Sequence, residues 1–276
     1  ASQPSSTRIL VIERDFSEQE RIIGELMQPG GILALRHLGL SHLLENIDVK
    51  EVNGYNIIMG NDRFTINYSE VKEGLFGVGL RNGKFLLNIQ EELRNRSNIT
   101  LVQGNVNQLI EENDTIIGVS YTQDDGTTFT KHANLTIVSD GPMSILREKL
   151  CKSNKKVVSY FMGLVLKDLN LEFPSYGHMI LSGKSPILVY PIHTNAYRIL
   201  IDYPGGKAPK MGKSSMEQLK NNVIECLPSE MIPSFLDAFE EGNLKVMPNH
   251  SMKGQAICKK GAVLLGDSLN MRHPLT

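Results

Sequence analysis

The sequence predicts a mixed α/β protein in which a layer of short buried strands is interrupted by a separate antiparallel sheet. Three observations carry that reading. Apolar runs at 8–12, 135–138 and 261–265 lead to an acidic residue at the end of the strand or just beyond it: Glu13, Asp140 and Asp267. Between 151 and 250, four successive β-like runs are joined by short polar turns, the connection that antiparallel strands use. The 276 residues are 41% hydrophobic and 21% charged, an ordinary globular balance, enough for one large or two modest domains.

The elements follow in order. Arg8-Ile9-Leu10-Val11-Ile12 reads as a strand. After Pro29-Gly30-Gly31 comes a helix, with Ile32, Leu35 and Leu38 at helical spacing and Gly39 at the position after the C-cap. Residues 52–64 are β-like. The run 83–96 places Phe85, Leu86, Ile89 and Leu93 on one helical face. Strands at 99–102 and 116–121 follow, and Asp124-Asp125-Gly126 turns the latter back into 127–129. The run 135–138 is expected to be a buried strand. Beyond Cys151, strands are expected at 157–166, 178–181, 187–192 and 196–203. Ser215 is a candidate cap for a helix at 216–227, with Met216, Leu219, Val223 and Leu227 as its apolar stripe, and a second helix runs from Glu230 to a stop at Gly242.

Composition excludes several function classes. The net charge is −1 and no basic block stands out, so nucleic-acid binding has no support. Cys151, Cys226 and Cys258 are widely spaced, which indicates neither a disulfide framework nor a zinc site and fits a reducing compartment. No apolar run reaches the roughly 18 residues that span a bilayer. No signal peptide is recognisable, and Ala1 to Thr7 reads as a polar lead-in.

Glu13 is the first candidate site residue. In a dinucleotide-binding fold an acid at the end of the second strand accepts hydrogen bonds from ribose hydroxyls, about 20 residues after a Gly-rich loop. Twelve residues precede Glu13, so that loop is expected outside this chain. The strings around it are more specific: Glu13-Arg14-Asp15, then Arg21-Ile22-Ile23-Gly24-Glu25-Leu26-Met27-Gln28-Pro29-Gly30-Gly31, and at the end Gly266-Asp267-Ser268-Leu269-Asn270-Met271-Arg272-His273-Pro274-Leu275-Thr276. Together with Asp140-Gly141-Pro142-Met143-Ser144-Ile145-Leu146-Arg147, which matches the D-G-x-x-S-x-x-R pattern of flavin monooxygenases, they resemble the squalene monooxygenase (squalene epoxidase) family. The resemblance runs over almost the whole chain with its motifs in the family's order.

That resemblance implies an FAD-dependent monooxygenase fold of the aromatic-hydroxylase type: a Rossmann-like FAD domain with an inserted antiparallel-sheet substrate domain. The expected division is 1–150 for the FAD domain, with part of the substrate layer at about 50–80. Residues 151–250 would form the substrate sheet and helices, and 251–276 the return to the FAD domain. Glu13 and Arg14 are implied at the adenosine ribose, Arg21 and Asp267 as further cofactor contacts, and Val106 as a backbone contact on the adenine side. Arginine suits phosphate and ribose oxygens because its donors are planar and fixed. Gln28 and Tyr55 are implied as a hydrogen-bonded pair beside the flavin, able to orient groups there without adding a charge. Ser144 and Arg147, one helical turn apart, are expected to tie their loop together. His273, next to Pro274, is expected to be structural. One departure stands out: Gln90 occupies a position where the family carries an arginine.

The implied reaction is epoxidation of squalene to 2,3-oxidosqualene by O2 through a flavin C4a-hydroperoxide. Electrons would come from NADPH–cytochrome P-450 reductase at the cytosolic face of the endoplasmic reticulum membrane, reached through segments outside this chain. The cofactor carries the hard chemistry, and the protein must orient the alkene and exclude water. Phe161, Leu188 and Tyr190 are candidate pocket walls or simple core residues. Two other readings stay open: a soluble FAD-dependent aromatic hydroxylase, and a non-catalytic truncated product lacking the Gly-rich loop and C-terminal helices.

Overall fold

The computed structural model describes residues 7–181, 185–256 and 259–275. The lead-in at 1–6, Cys258 and Thr276 lie outside the described residues. Along the chain the elements are β1 (Ile9–Glu13), β2 (Leu26–Met27), α1 (Pro29–His37), β3 (Lys50–Val52), β4 (Gly54–Met59), β5 (Asp62–Asn67), β6 (Gly77–Gly79), α2 (Asn82–Arg94), β7 (Ile99–Gln103), β8 (Asn105–Glu112) and β9 (Thr115–Thr122). They continue as β10 (Thr128–His132), β11 (Thr136–Val138), α3 (Arg147–Leu150), β12 (Lys156–Lys167), β13 (Gly177–Leu181), β14 (Pro186–His193), β15 (Ala196–Pro204), α4 (Lys213–Ile224), α5 (Ile232–Glu240), β16 (Lys245–Ser251) and β17 (Ala262–Leu264). They form two compact units. One takes Ala1–Ser17, Gln90–Val158 and Asn249–Thr276, the other Glu18–Ile89 and Ser159–Pro248. The second unit therefore includes all of 18–89, a longer stretch than the 50–80 expected to join the inserted layer.

In the first unit, β1 pairs in parallel with β7 and β11 in parallel with β17, while β8, β9 and β10 form an antiparallel meander. Leu109, Ile116, Val138, Leu150, Ala262 and Leu264 make its core. The run 135–138, expected to be a buried strand, is corrected here. Only Thr136–Val138 is a strand, and Ile137 is 59% exposed. The reason is alternation in a two-stranded sheet. Val138 points to the core, while Ile137 and its register partner Val263 share the outer face, where both are exposed.

In the second unit a seven-stranded sheet has the order β16-β12-β15-β14-β13-β4-β5, and β2, β6 and β3 form a smaller antiparallel sheet. The expectation of a purely antiparallel large sheet needs one amendment: β13 and β4 run parallel, with Gly177 opposite Tyr55. These two strands are far apart in sequence, so no hairpin constrains their direction. Helices α4 and α5 and the segment between them cover one face, packing Val223, Leu227, Met231 and Phe235 onto Met162, Leu164, Leu166 and Ile199. Burying Phe235 contributes about 2–3 kcal/mol of transfer free energy.

Met216, Leu219 and Val223 of the expected stripe lie in α4, but the helix ends at Ile224, short of Leu227, and its start differs too. The helix begins at Lys213 after Gly212, with no side-chain cap, so Ser215 lies inside the first turn. Helix α1 closes as expected. Gly39 has φ +69°, its N–H donates to Arg36 O, and Leu40 N–H donates to Leu35 O. Those two bonds satisfy carbonyls that the helix end leaves open.

Candidate functional site

In the first unit the candidate residues sit at strand ends. Glu13 closes β1, and its Oε1 accepts from the backbone N–H of Arg14 (2.8 Å) and of Asp15 (3.3 Å). Its own carbonyl accepts from Gly104 N–H at 2.9 Å, which fixes the strand end against the β7–β8 turn. The carboxylate is exposed and keeps lone pairs for outside donors, and Arg14 beside it is exposed as well. Val106 lies opposite Tyr121 at the register shift between Val106 and Gln108, where backbone groups leave the regular ladder. Its side chain packs on the unit's core.

Asp267 occupies the turn after β17 with its side chain exposed. Next to it, Ser268 is fully buried. Its hydroxyl lies 2.7 Å from the carbonyls of Val138 and Leu265 and accepts from Leu265 N–H at 3.2 Å, so the turn is clamped to both strands. Buried Arg147 supplies the second clamp. It donates to Pro142 O at 3.0 Å and to Ser144 O and Asp267 O at 3.5 Å, and the hydroxyl of Ser144 accepts from Arg147 N–H. The sequence reading of Ser144 and Arg147 as loop ties matches this geometry.

His273 is held by its backbone neighbours. Its Nδ1 accepts from Leu275 N–H at 3.3 Å and its Nε2 lies 3.3 Å from the Asn249 amide, so the ring serves the terminal turn. His250, which sequence reasoning did not single out, lies near Asp267, Lys155 and Arg147. Burial, then the charge of Lys155, holds its pKa below the usual histidine range against the opposing charge of Asp267. Gln90 has a buried Oε1 with no hydrogen-bond partner among the described residues.

In the second unit one amide joins two phenols. Gln28 Nε2 donates to the Tyr55 hydroxyl at 2.5 Å, and the Tyr68 hydroxyl donates to Gln28 Oε1 at 2.7 Å. The two rings meet edge to face at 6.0 Å between centroids. Three elements place the three groups: Gln28 follows β2, Tyr55 is in β4, and Tyr68 follows β5, anchored by its N–H to Asn53 O at 2.9 Å. Burial, then the neighbouring Tyr55, raises the Tyr68 pKa well above the usual phenol range, so it stays a donor. These bonds leave the hydroxyl hydrogen of Tyr55 uncommitted to Gln28.

Arg21 is exposed, and the acids nearest in sequence are engaged elsewhere: Glu20 with Lys245, Glu18 with Arg81 at 3.1 Å and Glu25 with Arg198 at 2.7 Å. Phe161 and Tyr190 are interior side chains, Phe161 with no exposed surface. Sequence reasoning missed Tyr68, because no periodicity or motif marks it. It also missed Glu25 and Arg198, for which there was a signal: each is a lone charge in an apolar run, and opposite lone charges in buried segments are expected to pair.

The residues fit a flavin nucleotide. Exposed carboxylates at two strand ends suit hydroxyl donors. Comparison with known proteins gives the same direction. A family model described as squalene epoxidase matches residues 132–276. Squalene epoxidase 2, mitochondrial, of Arabidopsis thaliana is 44% identical over 272 residues, 98% of this chain and 46% of that protein. Squalene monooxygenase of Mus musculus is 34% identical over 274 residues, 98% of this chain and 47% of that protein. The chain spans about half the length of these curated relatives. Among solved structures, the chondrochloren halogenase CndH, described as a variant of FAD-dependent halogenases, superposes with TM-score 0.81 at 14% identity over 98% of this chain and 65% of its own. The p-nitrophenol 4-monooxygenase PnpA of Pseudomonas putida does so with TM-score 0.77 at 14% identity, covering 98% and 69%. The fold class expected from the sequence is thereby borne out.

Proposed function

The chain belongs to the squalene epoxidase family, and from that premise we propose that it serves the epoxidation of squalene to 2,3-oxidosqualene, an FAD-dependent monooxygenase step of sterol synthesis. FAD, when bound, supplies the activation of O2 for oxygen transfer to the alkene. Glu13 and Arg14 hold the ribose region, Val106 offers backbone contacts on the adenine side, and Asp267 accepts from hydroxyls of the flavin chain. Arg21 keeps the cofactor-contact role that the motif around it implies. Sequence segments 1–150 and 251–276 are assigned to cofactor binding, with 50–80 and 151–250 contributing the substrate layer.

The observation that carries the reading is the Gln28 bridge between Tyr55 and Tyr68. With its amide fixed at both ends, Gln28 donates to the Tyr55 oxygen and orients that hydroxyl beside Tyr68. The network is neutral throughout, so it orients a reacting group without placing a charge beside a hydrocarbon. Electrons are assigned to NADPH–cytochrome P-450 reductase and the working site to the cytosolic face of the endoplasmic reticulum membrane. Among the described residues no helix is long and apolar enough to cross a membrane, so that placement rests on the family.

The test is squalene epoxidation by the full-length protein with FAD, reductase and NADPH. Product formation that slows about tenfold in Gln28→Ala supports the assignment. Product formation unaffected by Gln28→Ala and Tyr55→Phe together removes these residues from the chemistry, and no product from squalene removes the substrate assignment.

A further inference from the structure

Gln28 is exposed; its carbonyl accepts from Gly31 N–H at 2.9 Å at the start of α1, and its side chain meets the two phenols. Three residues earlier the side chain is buried instead. Glu25 is 4% exposed and Arg198 is 7% exposed. They meet in a two-pronged bond, Arg198 Nε to Glu25 Oε2 at 2.7 Å and Nη2 to Oε1 at 2.8 Å. Nη1 donates onward to Leu164 O at 3.3 Å, and Glu25 O accepts from Leu80 N–H at 2.8 Å. Glu25 thus leads into the small sheet that ends at Gln28, and Arg198 belongs to β15 in the large sheet that carries Tyr55 in β4.

Other contacts also join the two sheets, and β3 runs into β4 through Asn53 alone. β14 lies against β2, β3 and β6. Gly79 approaches so near that a Cβ there would lie 1.8 Å from Pro191 O, so only glycine fits. Apolar and backbone contacts of this kind set a spacing. A planar guanidinium against a carboxylate also sets rotation and register, because both bonds hold in one orientation only. A buried ion pair adds little net stability over apolar side chains of the same volume, so geometry is what this one supplies. Tyr190, the strand partner of Arg198 in β14, reinforces the point: burial, then the charge of Glu25, pushes its phenol far above the usual range, so no negative charge competes for the guanidinium.

We propose that Glu25 and Arg198 are positioning residues for the Gln28–Tyr55–Tyr68 network, setting the distance and orientation at which the Gln28 amide bridges the two phenols. The catalytic meaning of this rests on the function proposed above; the positioning itself does not. The step from Glu25 to Gln28 is short and runs through β2, so a shift of the carboxylate is passed directly to the amide.

The experiment is carbon-13 NMR of the chain with its tyrosines labelled at Cζ, the carbon that reports hydrogen bonding of the hydroxyl. Tyr55→Phe and Tyr68→Phe assign the two signals, and Gln28→Ala gives their positions when the bridge is gone. In Glu25→Leu/Arg198→Met, which replaces the pair by apolar side chains of similar size, both signals are expected at the Gln28→Ala positions while thermal unfolding remains cooperative. Arg198→Lys, which keeps the charge and removes the fork, is expected to move them part of the way and serves if the double variant does not fold. Signals that stay at wild-type positions in either folded variant overturn the proposal. Signals that move while full-length epoxidation is unchanged leave the positioning standing and remove the network from the chemistry. Unmoved signals with activity lost in Gln28→Ala overturn the positioning alone.

Discussion

His178 and Asn56 face each other directly across the parallel β13–β4 junction, with His178 Nδ1 3.2 Å from Asn56 Nδ2. On its other side the ring's Nε2 lies 3.1 Å from Phe173 O. The two contacts define one neutral tautomer, with Nε2–H donating to the carbonyl and Nδ1 accepting from the amide. Burial pushes the His178 pKa down to about 4 from 6.5, with Phe173 O opposing. The junction is therefore built for an uncharged ring.

Acid is predicted to loosen this junction. The folded pKa is depressed, so the unfolded chain binds the proton first as pH falls. The contribution of His178 is fully present above about pH 6.5 and is lost as pH falls toward 4, amounting to about 3 kcal/mol at the low end. Urea unfolding of wild type and His178→Gln from pH 7 to pH 4 checks this. A wild-type slope no steeper than that of the variant would contradict it.

Removing the amide bridge should cost rate rather than stability. In full-length protein, Gln28→Ala is expected to lower kcat about tenfold, the worth of one oriented hydrogen bond, with little change in KM. Gln28 is exposed, so the unfolding free energy should change by less than about 1 kcal/mol. Steady-state epoxidation kinetics beside urea unfolding separate the two. A loss confined to KM would assign Gln28 to substrate binding only.

Breaking the buried pair one partner at a time should be worse than replacing both. Glu25→Leu leaves the Arg198 guanidinium buried without its carboxylate and is expected to cost about 3–5 kcal/mol, whereas Glu25→Leu/Arg198→Met should recover most of that. Urea midpoints of the two variants decide. Equal destabilisation would mean the pair does not act as a unit.

Flavin should stabilise the chain through the strand-end acids. At a free FAD concentration about a hundredfold above Kd, the unfolding free energy is expected to rise by about 2.7 kcal/mol. Glu13→Ala and Asp267→Ala should each weaken FAD binding about tenfold, the value of a charge-assisted hydrogen bond. Flavin fluorescence titration measures both. Unchanged affinity in the two variants would remove these carboxylates from the site.

Truncating the centre of the second unit's core is a control on packing. Phe235 has no exposed surface and sits where α5 meets the large sheet, so Phe235→Ala is expected to cost about 3–5 kcal/mol. A loss under about 1 kcal/mol in urea unfolding would show that the helix is not held through this residue.

Most of the elements and of the motif geometry were legible in the chain itself, because they depend on neighbours a few residues away. Apolar spacing marked α1, α2 and α4, and apolar runs marked β1, β7, β9, β12, β14 and β15, while β2, β6, β8 and β16 were not read. Gly39 ended α1 where a left-handed residue was needed, and Ser144 and Arg147, one turn apart, closed on each other. The motif strings also placed Gln28 and Tyr55 together, and 2.5 Å separates their polar atoms. Where local signals competed, the reading slipped: Ser215 looked like a cap, yet the helix had already begun at Lys213 because Met216 and Leu219 could then face the sheet.

Long-range pairing was decided only in three dimensions. Nothing in the strand at 54–59 says that it runs parallel to 177–181, that Tyr68 completes the Gln28 network, or that Ile137 faces outward. Each depends on which strand lies alongside, and strand alternation specifies a face without naming its partner. The pairing of Glu25 with Arg198 across 173 positions is the clearest instance. The chain shows each as a lone charge among apolar residues; that both are buried and meet is settled by the fold, because only there does desolvating each charge find its compensation in the other.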